Sequence, residues 1–351
     1  MTPIPLHLPV RPDEASELAA LIFEHAERKP LNDELRNRLN ARTAALRLER
    51  LTPYLGSLAR DPLHASTYYL AVDGEDGAPL LLHIALAGAP TSSVFHNALL
   101  IGRTRRMNGP EFVINALPFG PGDREDIDRF VFRIDPAFQP HRQGSRTTLT
   151  IRSDYPRAFD FFRQAYKRSN RNLAAVAGSY HACVWSAIRA GWRQEYTVVA
   201  EIALDHTNDI VRETLAYTRF TVDVTTMPPG SAALKAAADG HEEIRQARAL
   251  LKTGRDFDFE VELGELSAPE LASALDRLKQ QGHAPQLVRV GAGAVDELAE
   301  VARLYQVTLS FRHGGESGAE MESRARATGG RWNYFAAGPA EAEAIVEYLL
   351  W

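Results

Sequence analysis

The sequence predicts a (β/α)8 barrel, known as a TIM barrel, preceded by a small N-terminal α+β subdomain. From about residue 110 onward, strand-like segments alternate with helix-like segments of 3.6-residue periodicity, and eight such pairs follow one another. Eight consecutive βα units are typical of this barrel. Residues before about 110 lack the alternation, so we expect two domains, at 1–110 and 111–351. A doubly wound open sheet is the alternative.

Eight strand-like segments define the predicted barrel. They lie at 112–117, 147–152, 196–204, 219–224, 257–263, 286–290, 307–312 and 331–337. Helix signals lie between them, because Ser267 and Glu270 have the spacing of a capping box, with Pro269 in the first turn. Gly282 stands where the glycine that ends such a helix is expected.

The N-terminal subdomain is predicted to contain a helix and a hairpin. Asn32 is a candidate N-cap for an amphipathic helix that starts at Asp33. Two strand-like segments, 66–74 and 78–86, flank a glycine-containing turn and predict a β-hairpin.

Composition excludes several classes of protein. The formal net charge is −5 and the pI is near 6.1, which argues against non-specific binding to nucleic acid or to an acidic membrane surface. The single cysteine, Cys183, allows no intramolecular disulfide and is typical of a reducing cytoplasm, where we expect this protein. No apolar run approaches 18 residues, and the first residues do not have the pattern of a secretory signal.

Polar residues alternate with apolar ones along several predicted strands. In 257–263, Asp258, Glu260 and Glu262 share one face. In a barrel, the apolar face must contact the helices, so the polar face points to the barrel axis. Buried carboxylates are costly unless they bind a metal, a substrate or a counter-charge. We therefore expect a site near the carboxyl ends of the strands, with Glu201, Asp223, Glu260, Glu262, Arg152 and Arg312 converging there.

Two other interpretations of the alternation stay open. An antiparallel sheet with one solvated face would show the same pattern. An internal arginine–carboxylate network without catalysis would also explain it.

The loop after the sixth strand, from Gly291 to Gly293, lacks the dinucleotide-binding glycine pattern, and no P-loop is present, so we expect no nucleotide cofactor.

Seven segments occur in an order that resembles one known family. They are FGPGDR (119–124), AIRAGWRQEY (187–196), AEIAL (200–204), FTVDV (220–224), FEVELGELSAPE (259–270), LSFRHGGES (309–317) and ATGGRWNYFAAG (327–338). Together they resemble the tagaturonate epimerase family, whose members are metal-dependent barrel enzymes that interconvert tagaturonate and fructuronate. The resemblance covers roughly residues 112 to 350.

The resemblance also implies roles for individual residues. The acidic matches are Glu201, Asp223, Glu260 or Glu262, and Glu316, and Asp123 with Arg124 matches a Gly-Asp-Arg after the first strand. The family's metal-binding histidines fall on Ile202, Arg312 and Asn333, none of which replaces a neutral imidazole. His206 and His313, at strand ends, are the expected metal ligands if a divalent ion such as Zn, Mn or Ni binds. The simpler interpretation is an altered or absent metal site.

Two functions follow as hypotheses. The first is an isomerase that epimerises a sugar acid (a hexuronate or ketouronate), with Glu201, Asp223 and Glu262 at the reacting centre. The predicted substrate-binding residues are Asp123, Arg124, Arg152, Glu260, Arg289, Arg312, Glu316 and Asn333. The second is a non-catalytic relative that binds a sugar acid in a regulatory or scaffolding role. The sequence leaves open whether the protein is a homo-oligomer.

Overall fold

A computed structural model describes most of the chain. The described residues are 11–26, 31–61, 66–74, 77–88, 98–105, 109–120, 124–144, 148–152, 158–169, 172–176, 179–202, 217–227, 230–250, 256–291, 295–314, 316–329 and 332–348. The chain divides into two compact units, one of residues 1–139 with 184–194 and one of residues 140–183 with 195–351. The division therefore differs from the predicted boundary at residue 110.

The first unit contains an antiparallel sheet. Its strands are β1 (Leu51–Pro53), β2 (Ala59–Asp61), β3 (Ser66–Asp73), β4 (Pro79–Leu86), β5 (Leu99–Arg105) and β6 (Glu111–Pro118). Their order is β1-β3-β4-β6-β5, and β2 pairs with β3. The predicted hairpin is confirmed as β3 and β4, which pair from Thr67 opposite Ile84 to Val72 opposite Pro79.

Helices α1 (Pro12–Ala26) and α2 (Asp33–Ala45) pack against this sheet in one apolar cluster. Helix α3 (Arg124–Arg129) comes after β6 and is followed by a π-helical turn at Phe130–Ile134 and a 3₁₀ turn at Pro136–Phe138. Asn32 caps α2 as predicted, because its side-chain oxygen accepts a hydrogen bond from the Leu35 backbone N–H at 2.8 Å. Leu18 and Ile22 of α1 belong to one buried apolar cluster with Ile84 and Ile114 of the sheet.

Two glycines bring distant turns of this unit into backbone contact. A Cβ added to Gly56 would lie 2.7 Å from the Cα of Gly191, and one added to Gly191 would lie 2.9 Å from the Cα of Gly56. Both have positive φ, 100° and 65° respectively. Near this contact, Arg193 donates to Asp135 at 2.9 Å and to the Leu58 carbonyl at 3.0 Å. These contacts hold residues 184–194 in the first unit.

We predict that Gly191→Ala destabilises the protein more than its backbone angle alone explains. The left-handed conformation costs an L residue about 1–2 kcal/mol, and here the added Cβ also meets backbone atoms that cannot rotate away. Gly329→Ala is the matched control, since the φ of Gly329 is 61° and a Cβ added there would meet nothing within 4 Å. Denaturant unfolding of both variants checks the difference, and equal destabilisation would contradict the close contact.

The second unit is a (β/α)8 barrel, as the sequence predicts. Its strands are β7 (Thr148–Arg152), β8 (Asn172–Val176), β9 (Thr197–Ile202), β10 (Arg219–Asp223), β11 (Asp258–Gly264), β12 (Leu287–Val290), β13 (Thr308–Arg312) and β14 (Trp332–Ala336). Neighbouring strands are parallel, and β14 pairs with β7 to close the ring.

Helices follow most of these strands in the described part of the chain. They are α4 (Ala158–Ser169), α5 (Tyr180–Ala190), α6 (Ser231–Leu250), α7 (Ala268–Gln280), α8 (Val295–Tyr305), α9 (Gly318–Ala327) and α10 (Pro339–Tyr348). The capping box of Ser267 and Glu270 is confirmed at the start of α7. Across the described ranges, no helix combines the length and apolar character that crossing a membrane requires.

One predicted barrel strand is wrong and one is missing from the prediction. Residues 112–117 do form a strand, but it is β6, which pairs antiparallel with β4 and β5 in the first unit. The barrel begins instead at β7, and its second strand is the short β8, which is not among the eight predicted strands. A strand's local pattern does not specify its pairing partner, and a five-residue strand gives little periodic signal.

Candidate functional site

The polar face predicted for the strands points into the barrel. In β11 the side chain of Glu260 is buried, and its Oε2 accepts a hydrogen bond from the Thr221 hydroxyl of β10 at 2.9 Å. Residues Phe259 and Val261, on the other face of β11, are also buried. The parallel register sets Glu262 beside Asp223 on one side and beside Arg289 on the other.

One buried guanidinium joins the three glutamates. Arg289 of β12 donates from Nη1 to Glu201 Oε1 and to Glu262 Oε2, each at 2.9 Å. Its Nε donates to Glu260 Oε1 at 3.3 Å. The Arg289 side chain is only 1% exposed, so its charge is balanced by these carboxylates rather than by solvent.

Two further arginines extend this group towards solvent. Arg152 donates to Glu201 at 3.1 Å, and Arg312 donates to Glu262 at 2.9 Å. Their side chains are 38% and 53% exposed. We call the group of Arg152, Glu201, Glu260, Glu262, Arg289 and Arg312 the Arg–Glu cluster. It lies near the carboxyl ends of the strands, the face where barrel enzymes bind their substrates.

An aromatic ring separates the arginines of the cluster. The guanidinium carbon of Arg289 lies 4.3 Å from the ring centre of Phe335 on β14, and those of Arg312 and Arg152 lie at 5.4 and 5.9 Å. These are cation–π distances. Arg312 is on β13 and Arg152 is on β7, and β14 lies between these two strands. The ring of Phe335 therefore lies between the two arginines.

Electrostatics favour the charged forms of the buried groups. Burial alone would raise the pKa of Glu260, but Arg289, Arg219 and hydrogen bonds from Thr221 and Ser310 outweigh it, and the pKa is lowered. Burial opposes the charge of Arg289, yet the three glutamates raise its pKa. If Glu260 is balanced by the buried Arg219, the open end of the cluster holds three guanidinium groups against two carboxylates. It therefore suits an anionic ligand.

Two predicted residues on the strands have partners of their own. Asp223 accepts hydrogen bonds from the backbone N–H and the hydroxyl of Thr225, at 2.8 and 2.6 Å. Asn333 accepts from Thr150 at 3.0 Å and donates to Ser310 at 2.7 Å, deeper in the barrel. These contacts are local or structural, so they do not place either residue in the Arg–Glu cluster.

Glu316 and His313 form a separate group after β13. Glu316 accepts from the Gly314 backbone N–H at 2.7 Å and from Arg324 at 2.6 Å. Burial would raise the pKa of Glu316, but these two donors lower it. The buried His313 has its Nε2 3.8 Å from a Glu316 oxygen. Glu316 therefore forms an ion pair with Arg324 outside the Arg–Glu cluster, and its binding role stays a prediction.

Three predicted residues cannot be placed in the site. Asp123 and His206 lie outside the described residues. Arg124 is the first residue of α3 in the first unit, but its side chain is not among those described. Conversely, sequence analysis missed Arg219 and Phe335, which share the inward face with Thr221 and Asn333. Strand parity places both on the inward face, but Phe335 is apolar and Arg219 is at the amino end of β10, so neither belongs to the pattern of polar residues at carboxyl ends.

The described residues do not fit the metal that the resemblance implies. They contain no group of three or more His, Cys, Asp or Glu side chains suited to a metal ion. At the family's histidine positions, Arg312 binds Glu262, Asn333 binds Thr150 and Ser310, and Ile202 is buried. The three glutamates that converge are already bound by a guanidinium, which cannot ligate a metal.

Fold and site together define a (β/α)8 barrel protein with an arginine–glutamate cluster at the open end of the barrel. Solved structures of fructuronate-tagaturonate epimerase UxaE from Cohnella laeviribosi are similar. The complex with one glycerol has a TM-score of 0.56 at 12% identity and covers 87% of this chain and 74% of that chain. The native structure has a TM-score of 0.56 at 12% identity and covers 87% of this chain and 75% of that chain. The complex with two glycerols has a TM-score of 0.55 at 13% identity and covers 86% of this chain and 74% of that chain.

These similarities show the fold alone. No family model matches the chain. The search of curated proteins by sequence also found no match.

We predict that Arg289→Met lowers the free energy of unfolding by about 3–5 kcal/mol at neutral pH, the usual cost of leaving buried charges unpaired. Without Arg289, the buried Glu260 loses one of the two guanidinium groups that lower its pKa, so burial raises that pKa. The folded state then binds more protons, so the deficit should shrink as the pH falls towards about 5.

Denaturant unfolding at the two pH values measures this effect. Arg289→Lys, which keeps the charge, should lose less stability, and Arg326→Met, on an exposed helix surface, should lose almost none. A deficit of Arg289→Met that does not change with pH would indicate lost packing instead of unbalanced carboxylates.

Proposed function

We propose that this protein binds a sugar acid in the Arg–Glu cluster and epimerises it. The observation that carries the proposal is the pair of partly exposed arginines at the open end, where Arg152 and Arg312 each pair with one glutamate of the cluster. A planar guanidinium binds a carboxylate through two parallel hydrogen bonds. The sugar hydroxyls would then face Glu201 and Glu262, both of which can accept hydrogen bonds.

The chemistry of the proposal needs a base and a positive charge. Glu262 or Glu201 would take the proton of a hydroxyl group on the carbon β to a ketone. The carbon–carbon bond between the α and β carbons would then break, giving an aldehyde and an enolate. A guanidinium of Arg289 or Arg312 would stabilise the enolate charge. Re-addition to the other face of the aldehyde and return of the proton give the epimer.

The solved structures with a similar fold are named as fructuronate-tagaturonate epimerases. Tagaturonate and fructuronate are therefore the first substrates to test, followed by other hexuronates and ketouronates. Conversion should be followed by proton NMR, with the purified protein before and after addition of Mn, Ni or Zn. Turnover that appears only with added metal would contradict the metal-free assignment of charge to the arginines.

We predict that Glu262→Gln lowers kcat by about 10²–10⁴-fold, the usual range for loss of a general base. Glu322→Gln is the matched control, because Glu322 is exposed on α9 and pairs locally with Arg326. Steady-state kinetics on the substrate that turns over checks both variants. Unchanged kcat in Glu262→Gln, with Glu201→Gln also unchanged, would remove both carboxylates from the mechanism.

We also predict that Arg312→Ala weakens binding of a sugar acid by about 10–100-fold, since a hydrogen-bonded charge pair contributes about 1.5–3 kcal/mol. Calorimetry gives the dissociation constants, and Arg326→Ala serves as an exposed control on the same unit. If neither affinity nor turnover changes in Arg312→Ala, Arg312 does not hold the substrate carboxylate.

A non-catalytic sugar-acid-binding protein is the second candidate. It is favoured by one observation: Glu201 and Glu262 are each held by two guanidinium groups, so the oxygens that a general base would use already accept hydrogen bonds. This function predicts that sugar acids raise the unfolding temperature without being converted. Thermal stabilisation together with the NMR assay distinguishes the two functions.

A further inference from the structure

Another arginine lies beneath the Arg–Glu cluster and has no role in the proposed chemistry. Arg219 is the first residue of β10, and its side chain is completely buried. It stands opposite Asp258 in the register of β10 and β11, two residues before Thr221, which stands opposite Glu260. Arg219 and Thr221 therefore face the interior together, one level apart.

Hydrogen bonds do not explain the burial of Arg219. None of its three guanidinium nitrogens has a hydrogen-bond partner within the described ranges. The facing carboxylate of Asp258 is instead occupied by Arg142 at 2.5 Å and by the backbone N–H groups of Gln143 and Gly144 at 3.2 and 2.8 Å. Arg219 thus contributes a charge rather than a set of hydrogen bonds.

The charge of Arg219 acts on Glu260. Among the ionisable groups of the described strands, Glu260 is faced by Arg219 from β10 and Arg289 from β12, with Asp258 and Glu262 on its own strand and Glu201 across Arg289. Arg289 is divided among three carboxylates, and Asp258 is balanced by Arg142. Arg219 is therefore a second cation that favours the ionised form of Glu260, in addition to Arg289, which Glu201 and Glu262 also share.

We propose that Arg219 is a positioning residue of the Arg–Glu cluster, which keeps Glu260 ionised from below and so fixes both Arg289 and the surplus positive charge at the open end. The proposal rests on the proposed function only because its first test measures the affinity for an anionic sugar acid, which depends on this charge. Arg219 itself does not touch the substrate.

The test is the pH dependence of ligand binding in Arg219→Met. In the wild type, Glu260 stays ionised, so the affinity for a hexuronate should be nearly constant between about pH 5.5 and 8.5. In Arg219→Met, ionised Glu260 removes the surplus charge at high pH, and uptake of a proton by Glu260 restores it at low pH. Affinity should therefore fall roughly tenfold as the pH rises through the raised pKa of Glu260.

Two variants serve as controls for this pH dependence. Arg219→Lys keeps the charge and should bind as the wild type does at every pH. The double variant Arg219→Met with Glu260→Gln removes both charges, so its affinity should again be independent of pH. A flat profile in Arg219→Met, or a pH dependence that persists unchanged in the double variant, would overturn the proposal.

A ligand-independent measurement separates this inference from the proposed function. Infrared difference spectroscopy between about pH 5.5 and 8.5 should detect a carboxyl group that takes up a proton in Arg219→Met but not in the wild type or in the double variant. If the wild type binds no sugar acid, the proposed function fails, while this measurement still decides the role of Arg219. No protonated carboxyl down to about pH 5.5 in Arg219→Met would overturn the inference.

If Arg219→Met folds poorly, the free energy of unfolding of the variants provides a further test. A charge pair predicts coupling, so the double variant should be more stable than Arg219→Met alone, because no carboxylate is left unbalanced. If both variants are equally destabilised, Arg219 is a packing residue and the proposal is wrong.

Discussion

The buried charge of Arg289 constrains the whole interior of the barrel. A guanidinium that is removed from water must be surrounded by acceptors, and two strands supply them as Glu201, Glu260 and Glu262. Barrel interiors are usually filled by branched apolar side chains. Here the inward face carries ion pairs that depend on one another, with the ring of Phe335 packed against their arginines. A change in any one member leaves an opposite charge unbalanced at a place that solvent reaches poorly.

Strand periodicity predicted much of this site. Because side chains alternate along a strand, the sequence of β11 alone put Asp258, Glu260 and Glu262 on one face, and the structure places all three inside the barrel. Periodicity does not specify distances, however. It could not show that Arg289 lies at the centre or that Asp223 binds its own turn through Thr225. Those outcomes depend on rotamers and on the register between strands.

The strand assignments show a similar limit for the fold. The residues of β6 have the pattern of a barrel strand, yet they complete an antiparallel sheet with β4 and β5. The second strand of the barrel, β8, has only five residues and lies between two helices, so its own periodicity gives little signal. Hydrogen-bonded pairing is a long-range property, so a segment can be recognised as a strand while its sheet remains undetermined by its own sequence.

The return of residues 184–194 to the first unit has a consequence for how this chain can be divided. The segment is encoded within the barrel and starts inside α5, yet Arg193 bonds to Asp135 and Leu58, and Gly191 lies against Gly56. A cut after residue 139 would therefore separate Arg193 from its acceptors. The two units are not interchangeable modules joined by one linker. Recombination that exchanges the first unit for that of another protein would have to carry two separate stretches of gene, and both would need to match.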